Sequence, residues 1–455
     1  MDRCEHAAST AIIGSCAIGP EEATRPIAVV AECDVAEGIP AIAASCAGVR
    51  ALVLVRMFSE PVGMTAELVP ADGMCSDDFA RVIARELGPQ LRERFVECGL
   101  NWDEELPVGG LHPPRTPRFL ASRERVMREG PLMTIAVCTR DRPESLAVTL
   151  ETLSVQEYQR ARILVVDNAP SDDRARQVVL AAARKHDLDF DYVTEPRPGL
   201  SWARNRAIEA SDTEVIAFVD DDERCDRWWA AELARGFVEI PGAGAVTGVI
   251  VPGELATESQ AWFEEYFGIR TGRGFARAVF SPETARRQSP LYPRPPFGAG
   301  GNMAFRRDAL DQIGRFDCAL GAGTMTQGCE DTAALSALLL EGGTIVYQPT
   351  AVVRHYYGRD YAALRRQLRG YGRGLTSFYT SMLVRRPSCV AELLRLGGQG
   401  ARGQFSRRSQ RLSELSEDFP RDLLRANFVG RLQGPFTYAA ARLHAQRLGR
   451  AVPRR

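Results

Sequence analysis

The sequence contains almost no lysine. Lys185 is the single lysine among 57 basic residues, and the other 56 are arginines. Schiff-base chemistry and phosphate-binding P-loops both depend on a lysine in a defined setting, and the surroundings of Lys185 match neither setting. The sequence also has no GxGxxG segment after a strand. These absences exclude a lysine-based covalent mechanism and the common nucleotide-binding loops.

Cysteine pairs and long apolar runs are also missing. The 11 cysteines are scattered, odd in number and form no CxxC pair, which argues against a disulfide framework or a zinc site and favours a reducing cytoplasm. No apolar run approaches the roughly 18 residues that span a bilayer. Ala7–Gly19 is mildly apolar, but acidic residues precede it, so we interpret residues 1–25 as a flexible leader and not a signal peptide.

The net charge is close to zero but unevenly distributed. The 57 basic and 58 acidic residues give a net charge of -1, which argues against a nucleic-acid partner. The segment from Arg354 to Arg411, however, contains 13 arginines and only two acids, Asp360 and Glu392. This segment is either a set of solvated helix faces paired with acids elsewhere or a peripheral contact for anionic lipid or a polyprenyl phosphate at the inner face of the membrane. The sequence gives no oligomeric state.

The 455 residues suggest two or three domains. After the leader, residues 26–125 predict a small α/β module, with a hairpin at 51–69 and a helix over 76–98. This module carries no chemical motif, and acceptor selection or oligomerisation are hypotheses for it. Residues 126–360 form the predicted main domain, and residues 361–455 an arginine-rich helical region.

Strands and helices alternate from Met133 onward. Strands are predicted at 134–138, 162–166, 190–194 and 214–219, and helices at 143–155, 173–186 and 201–210. This alternation indicates an α/β fold with a mostly parallel sheet and helices on both faces. Sites in such sheets lie at the carboxyl ends of the strands, where this sequence places polar residues.

The acids Asp220, Asp221 and Asp222 directly follow an apolar strand. Clustered carboxylates repel one another, and a divalent cation such as Mg²⁺ or Mn²⁺ relieves that repulsion. A solvated turn before a helix is the alternative. Glu330 and Asp331 likewise precede an apolar helix, either as a cap or as a general base.

Two further candidates are the glycine-rich segment around Gly301 and Asn302, and His355. Glycines allow a backbone to approach a ligand closely, and an asparagine amide can hydrogen-bond sugar hydroxyls, although a tight turn is the alternative. A histidine after a strand is usually structural, but it is a candidate ligand near a carboxylate-bound metal.

Taken together, these segments resemble family 2 glycosyltransferases of the GT-A fold over about half of the chain. The resemblance rests on seven segments in order: Thr134–Pro143, Val165–Asp173, Pro198–Ala207, Asp220–Asp222, Gly301–Arg307, Gly314–Asp317 and Glu330-Asp331. One departure is Asp141, which stands where the family usually has asparagine.

The resemblance implies an inverting, metal-dependent transfer from a nucleotide-diphosphate sugar, with UDP the commonest base and dTDP or GDP as alternatives. Its acceptor would be a carbohydrate, a lipid-linked intermediate or a small molecule. The implied donor-binding residues are Thr139, Arg142, Asp167, Arg204, Asp220 and Asp221. Asp222 and His355 would hold Mn²⁺ or Mg²⁺, Asp331 or failing it Glu330 would be the base, and Gly301 and Asn302 would contact sugar.

Two other functions share parts of this pattern. A sugar-phosphate nucleotidyltransferase also binds nucleotide and metal, but it usually has a glycine-rich basic loop after the first strand, and residues 139–142 contain no glycine. A non-catalytic carbohydrate-binding or scaffold protein would not need Asp222 and Asp331.

Overall fold

The computed structural model describes residues 27–268, 274–287, 289–291, 297–396 and 415–451. The predicted leader, residues 1–25, lies outside them. The chain groups into two compact units. The first unit contains residues up to 125 together with 252–268 and 355–359, and the second unit contains 126–251, 269–354 and 360–455.

The first unit is built on a small sheet with the order β1-β2-β3. Its strands and helices are β1 (Ala28–Asp34), β2 (Arg50–Met57), β3 (Glu60–Leu68), α1 (Ser76–Cys98) and α7 (Glu258–Phe267), and α2 (Arg118–Glu129) runs across its boundary. Strands β2 and β3 are antiparallel, as the hairpin prediction requires, and α1 matches the predicted helix. Phe58 and Ser59 have positive φ angles of 52° and 67°, the conformation that tight hairpin turns favour.

The second unit contains a larger sheet with the order β10-β12-β9-β11-β7-β4-β5-β6, and β8 pairs with β12. The strands are β4 (Met133–Thr139), β5 (Ala161–Asn168), β6 (Phe190–Glu195), β7 (Val215–Asp220), β8 (Glu223–Cys225), β9 (Ala243–Pro252), β10 (Ala278–Phe280), β11 (Met303–Arg306) and β12 (Thr344–His355). Strands β6, β5, β4 and β7 are parallel, whereas β11 is antiparallel to both of its neighbours. The parallel half therefore contains all four predicted strands.

Helices cover both faces of this sheet. They are α3 (Pro143–Ser154), α4 (Arg174–His186), α5 (Leu200–Ala210), α6 (Trp229–Glu239), α8 (Pro282–Arg287), α9 (Arg307–Gln312), α10 (Glu330–Leu340), α11 (Tyr361–Arg385) and α12 (Arg421–Ala451). Successive residues of β4 alternate between two cores, because side chains along a strand point to opposite faces. Ile135 packs with Leu150 of α3 in one core, and Ala136 packs with Ala203 of α5 in the other. The predicted α/β fold class with a helical C-terminal region is confirmed.

Helices α11 and α12 pack side by side in the same direction. Glycines make this close approach possible: a Cβ at Gly372 would meet the Asn427 backbone, and a Cβ at Gly430 would meet the Arg369 backbone. Among the described residues no helix is both long and apolar enough to cross a bilayer.

Several arginines of the Arg354–Arg411 segment have acidic partners. Arg359 pairs with Glu254, Arg365 with Asp422, Arg386 with Glu341 and Arg395 with Glu392. These pairs favour the interpretation of solvated, acid-paired helix faces for this part of the segment. Residues 397–411 lie outside the described residues.

Candidate functional site

The polar ends of β4, β5 and β7 lie together at one edge of the sheet of the second unit. The parallel register pairs Thr139 with Asp167 and Cys138 with Asp220. Because these strands run in the same direction, their carboxyl ends meet at that edge, which is where α/β sheets bind ligands. The sheet thus brings the first group of predicted site residues into one place.

Asp221 points into the protein and is only 4% exposed. The Thr139 hydroxyl donates to one of its oxygens at 2.7 Å, and Arg142 donates to the other at 2.7 Å. Burial raises the pKa of Asp221 to about 7, although Arg142 and Thr139 oppose that rise. Asp221 therefore aligns Thr139 and Arg142, and its own oxygens are occupied by protein donors.

Asp220 and Asp222 are more open than Asp221. Their side chains are 37% and 23% exposed, respectively. Arg142, which donates to Asp221, also donates to Asp222 at 3.0 Å. Within the described part of the chain, no group of three or more His, Cys, Asp or Glu residues could hold a metal by itself. Mg²⁺ and similar cations are commonly held by one or two carboxylates together with substrate phosphates, and the oxygen donors of Asp220 and Asp222 fit that arrangement.

Glu223 is a site residue that the sequence prediction missed. Its carboxylate is 1% exposed and accepts the backbone N–H of Asp220 at 3.1 Å. Burial, followed by the charges of Asp220 and Asp222, raises its pKa well above the ordinary value. A Cβ at Gly301 would overlap this carboxylate, so Gly301 has to be glycine for Glu223 to fit. The only sequence signal for Glu223 was its place directly after the three aspartates.

Arg204 connects two parts of the site from inside the protein. Its guanidinium is 1% exposed and donates to Glu330 at 2.8 Å, to Asp220 at 3.3 Å and to the carbonyl of Gly300 at 3.1 Å. The rings of Phe218 and Phe316 lie within 6 Å of it. Arg204 therefore joins the end of β7 to the start of α10.

Glu330 and Asp331 have different surroundings although they are adjacent. Glu330 is 5% exposed and bound to Arg204, and burial raises its pKa to about 7 against the effect of that arginine. Asp331 is half-buried and accepts the Gly300 N–H at 2.7 Å. The more accessible carboxylate, Asp331, is the better placed of the two to meet a ligand.

Asp167 carries a buried oxygen without a hydrogen-bond partner. Tyr192 donates to its Oδ2 at 2.6 Å, but Oδ1 has no hydrogen-bond partner among the described residues. Burial raises its pKa, which is the direction expected for a carboxyl group short of donors. An unsatisfied buried carboxylate oxygen at a strand end is consistent with a ligand hydroxyl or N–H that binds there.

Asn302, which the sequence predicts to contact sugar, is bound by the surrounding protein. It is fully buried, and its amide donates to the carbonyls of Val249 and Ala351 at 2.8 and 2.9 Å. Its oxygen accepts the indole N–H of Trp229 at 2.9 Å. Protein partners therefore hold both ends of the amide, and the contact of Asn302 with a sugar stays a prediction.

His355 ends β12 and belongs to the first unit. Its ring makes edge contacts with Phe263 and Tyr357, at centroid distances of 6.3 and 4.9 Å. Its role as a metal ligand stays a prediction.

Tyr371 of α11 is a second residue that the sequence prediction missed. Burial raises the pKa of its hydroxyl, and the charges of Asp222, Asp331 and Asp220 add to the rise. Gln367 donates to its oxygen at 2.9 Å. Helix α11 therefore contributes a side chain near the acids from 40 residues beyond Asp331, and no local sequence pattern marks it.

Asp141, the departure from the family pattern, has a local structural explanation. Its φ is 52°, a conformation in which aspartate and asparagine are both several-fold enriched. Hydrogen bonds from the Ser171 hydroxyl and N–H to its carboxylate lower its pKa. These hydrogen bonds therefore stabilise an aspartate at the position where the family usually has asparagine.

Comparison with known proteins gives consistent matches in sequence. Residues 134–314 match the family model described as glycosyl transferase family 2. The succinoglycan biosynthesis protein ExoM of Rhizobium meliloti (strain 1021) is 31% identical over 50% of this chain and 68% of its own length. The glucosyl-dolichyl phosphate glucuronosyltransferase of Haloferax volcanii is 24% identical over 49% of this chain and 68% of its own length.

A solved structure also aligns over most of the chain. It is the mannosyltransferase PcManGT from Pyrobaculum calidifontis in complex with GDP-Man and Mn²⁺, with a TM-score of 0.41 and 17% identity over 74% of this chain and 83% of that one.

Proposed function

Since the chain belongs to glycosyl transferase family 2, we propose that this glycosyltransferase moves a sugar from a nucleotide-diphosphate donor to an acceptor hydroxyl with inversion at the anomeric carbon. UDP is the first donor base to test, followed by dTDP and GDP. The observation that carries the proposal is the meeting of the strand-end acids with Asp331, linked through Arg204 and Gly300.

Asp331 is the proposed general base. It would take the proton of the acceptor hydroxyl as that oxygen attacks the anomeric carbon, on the face opposite the leaving diphosphate. A single displacement of this kind inverts the anomeric centre and needs no second nucleophile. Glu330 is instead bound to Arg204, so its proposed role is to hold the start of α10 in position.

Asp167, Thr139 and Arg142 form the proposed donor end of the site. The unpartnered oxygen of Asp167 would accept a hydrogen bond from the base or ribose. Arg142 is half-exposed and would contact the nucleotide while it keeps Asp221 and Asp222 in place. Arg204 is buried, so we propose that it holds Asp220 in position at the donor end of the site and does not contact the diphosphate directly.

Asp222, with Asp220 beside it, would hold the divalent cation, Mn²⁺ or Mg²⁺. When bound, the cation supplies Lewis-acid stabilisation to the charge that develops on the leaving diphosphate. Burial is the main cause of the raised pKa values of Asp221 and Glu223, and the charges of Asp220 and Asp222 add to the rise. A cation held by Asp222 and Asp220 would relieve that repulsion.

The proposed acceptor is a lipid-linked glycan at the inner, cytoplasmic face of a membrane. One relative is named for succinoglycan biosynthesis and the other for a glucosyl-dolichyl phosphate substrate, and both names point to the assembly of a polymeric or lipid-carried glycan. If the assay described next works with a soluble carbohydrate or a small metabolite as the acceptor, that class of compound replaces the lipid-linked glycan in the proposal.

The test is to incubate the protein with Mn²⁺ and a panel of nucleotide sugars, with and without acceptor, and to measure nucleoside diphosphate release. Release with one or few donors supports the proposal. Pyrophosphate formation from a sugar phosphate and a nucleoside triphosphate would show instead that the protein is a nucleotidyltransferase. A donor that raises the melting temperature without turnover would indicate a binding protein.

A further inference from the structure

Helix α12 exposes a row of large apolar side chains. Phe436 is 80% exposed and Leu432 61%, and the remaining members of the row are Phe428, Val429 and Leu443. We call these five residues the outward face of α12. Single exposed apolar residues are common on protein surfaces, but a contiguous row of this size usually marks an interaction site.

Helical geometry places these residues together. They recur at spacings of three, four and seven, which puts them on one side of a helix, and Phe428 to Leu443 covers about 22 Å at 1.5 Å per residue. The opposite side of α12 is buried against α11: Gly430 approaches the Arg369 backbone, and the carbonyl of Gly434 accepts a hydrogen bond from Ser377. The outward face is therefore held in a fixed orientation by the helix pair.

Arginines lie at both ends of the outward face. Arg421 and Arg425 precede it and Arg447 and Arg450 follow it, all four exposed and at helical angles that match the row. The helix contains six arginines and one acid, Asp422, which gives it a charge of +5. Tyr361 and Arg365 of α11 bind Asp422, so this acid does not oppose the four terminal arginines.

We propose that the outward face of α12 docks on a bilayer that contains anionic lipid, with the helix parallel to the membrane plane. The apolar side chains would enter the boundary between headgroups and acyl chains, and the arginines at the two ends would contact lipid phosphates. A second copy of this chain fits less well, because a paired α12 would bring arginines against arginines in either relative direction. The surface lies beyond the Arg354–Arg411 segment, and its binding does not depend on the transfer reaction.

The test is flotation of the full chain with phosphatidylcholine vesicles that contain about one-third phosphatidylglycerol, against pure phosphatidylcholine vesicles. We expect binding to the anionic vesicles that weakens as salt is raised. The double variant Leu432→Asp/Phe436→Asp should bind at least about tenfold more weakly, because it places charge where apolar side chains enter the lipid. Arg447→Gln/Arg450→Gln should weaken binding to the anionic vesicles and leave the weak binding to neutral vesicles unchanged.

The control is Val96→Asp, which introduces a single aspartate at an exposed apolar position of α1, 70% exposed, and should bind vesicles like the wild type. Circular dichroism and melting temperature establish that each variant is folded. Wild-type protein that fails to bind anionic vesicles at low salt overturns the proposal, and so does equal binding by the Leu432→Asp/Phe436→Asp variant. A wild-type dimer that this variant converts to a monomer, without vesicle binding, would assign the face to a second copy.

Discussion

The two units of the chain bury acidic side chains in different ways. In the first unit, Asp34 accepts the backbone N–H groups of Ala36, Phe58 and Ser59, and the positions of these donors fix the turn between β2 and β3. Glu60 lies between Arg94 and Arg123, at 2.8 and 3.7 Å. Backbone donors bind the half-buried Asp34 and two arginines flank the buried Glu60, as carboxylates in a structural role require.

In the second unit, six acids meet at the sheet edge and the start of α10: Asp220, Asp221, Asp222, Glu223, Glu330 and Asp331. Arg142 and Arg204 contact four of them, yet burial still raises the pKa of Asp221, Glu223 and Glu330. Acids that are matched to donors maintain a fold, whereas acids gathered with less compensation attract a cationic or proton-donating ligand. The predictions below test this contrast, in order of decreasing effect on turnover.

Asp222→Asn should have the largest effect. Loss of the carboxylate removes the proposed cation ligand, and we expect nucleoside diphosphate release in Mn²⁺ to fall about 1,000-fold, equivalent to several kcal/mol of transition-state stabilisation. The control in the first unit is Asp34→Asn, which should lower the melting temperature because it disturbs the β2–β3 turn, and leave kcat of the folded protein unchanged. Mn²⁺-dependent turnover by Asp222→Asn at the wild-type rate would contradict the proposed difference between the acids of the two units.

Gly301→Ala should reduce turnover about 10- to 100-fold, because a methyl group there displaces the Glu223 carboxylate and with it the Asp220 backbone, at a cost of about 1–3 kcal/mol. Gly109→Ala in the first unit is the matched control, since a Cβ at Gly109 has no heavy atom within 4 Å. Steady-state rates and melting temperatures of both variants check the prediction. Equal rates for the two variants would mean that Glu223 does not position the site.

The pH dependence of stability should reveal the raised pKa of Glu330. Burial raises its pKa from 4.5 to about 7, so the folded protein binds a proton that the unfolded chain has already released over this range. The contribution of Glu330 to the free energy of unfolding therefore falls as pH rises from about 4.5 to 7. As pH rises across this range, the melting temperature of the metal-free wild type should fall relative to that of Glu330→Gln. A difference between the two that does not change with pH would contradict the assignment.

Glu60→Gln should leave turnover unchanged and lower stability. The substitution leaves Arg94 and Arg123 beside a neutral amide, and breaking a buried ion pair in this way costs about 3–5 kcal/mol. Urea unfolding gives the loss in the first unit, and nucleoside diphosphate release gives kcat. A fall in kcat of the folded variant would show that this unit also takes part in catalysis.

The sequence predicted the fold well because its signals are local. Strands β4, β5, β6 and β7 and the helices between them are marked by apolar runs and polar breaks, and the hairpin of the first unit by its turn residues. The antiparallel strand β11 was not predicted, because Met303–Arg306 is short and its neighbours β7 and β9 are distant in sequence.

The site was predicted in its composition but less well in its geometry. The strand ends located Asp220, Asp221 and Asp222, but the sequence does not reveal that Asp221 points inward. Asn302 looked like a ligand contact because it follows glycines, and its burial depends on partners about 50 and 70 residues away. The position of Tyr371 likewise depends on how α11 packs, and no local sequence pattern predicts that packing.

The most direct test of the central claim compares donor binding with turnover in Asp331→Asn. Calorimetric titration of a productive donor in Mn²⁺ should give nearly the wild-type Kd, because Asp331 is proposed to act on the acceptor. Nucleoside diphosphate release in the presence of acceptor should fall about 100-fold, within the range expected for loss of a general base. Near-normal turnover of Asp331→Asn, with donor binding intact, would contradict the account.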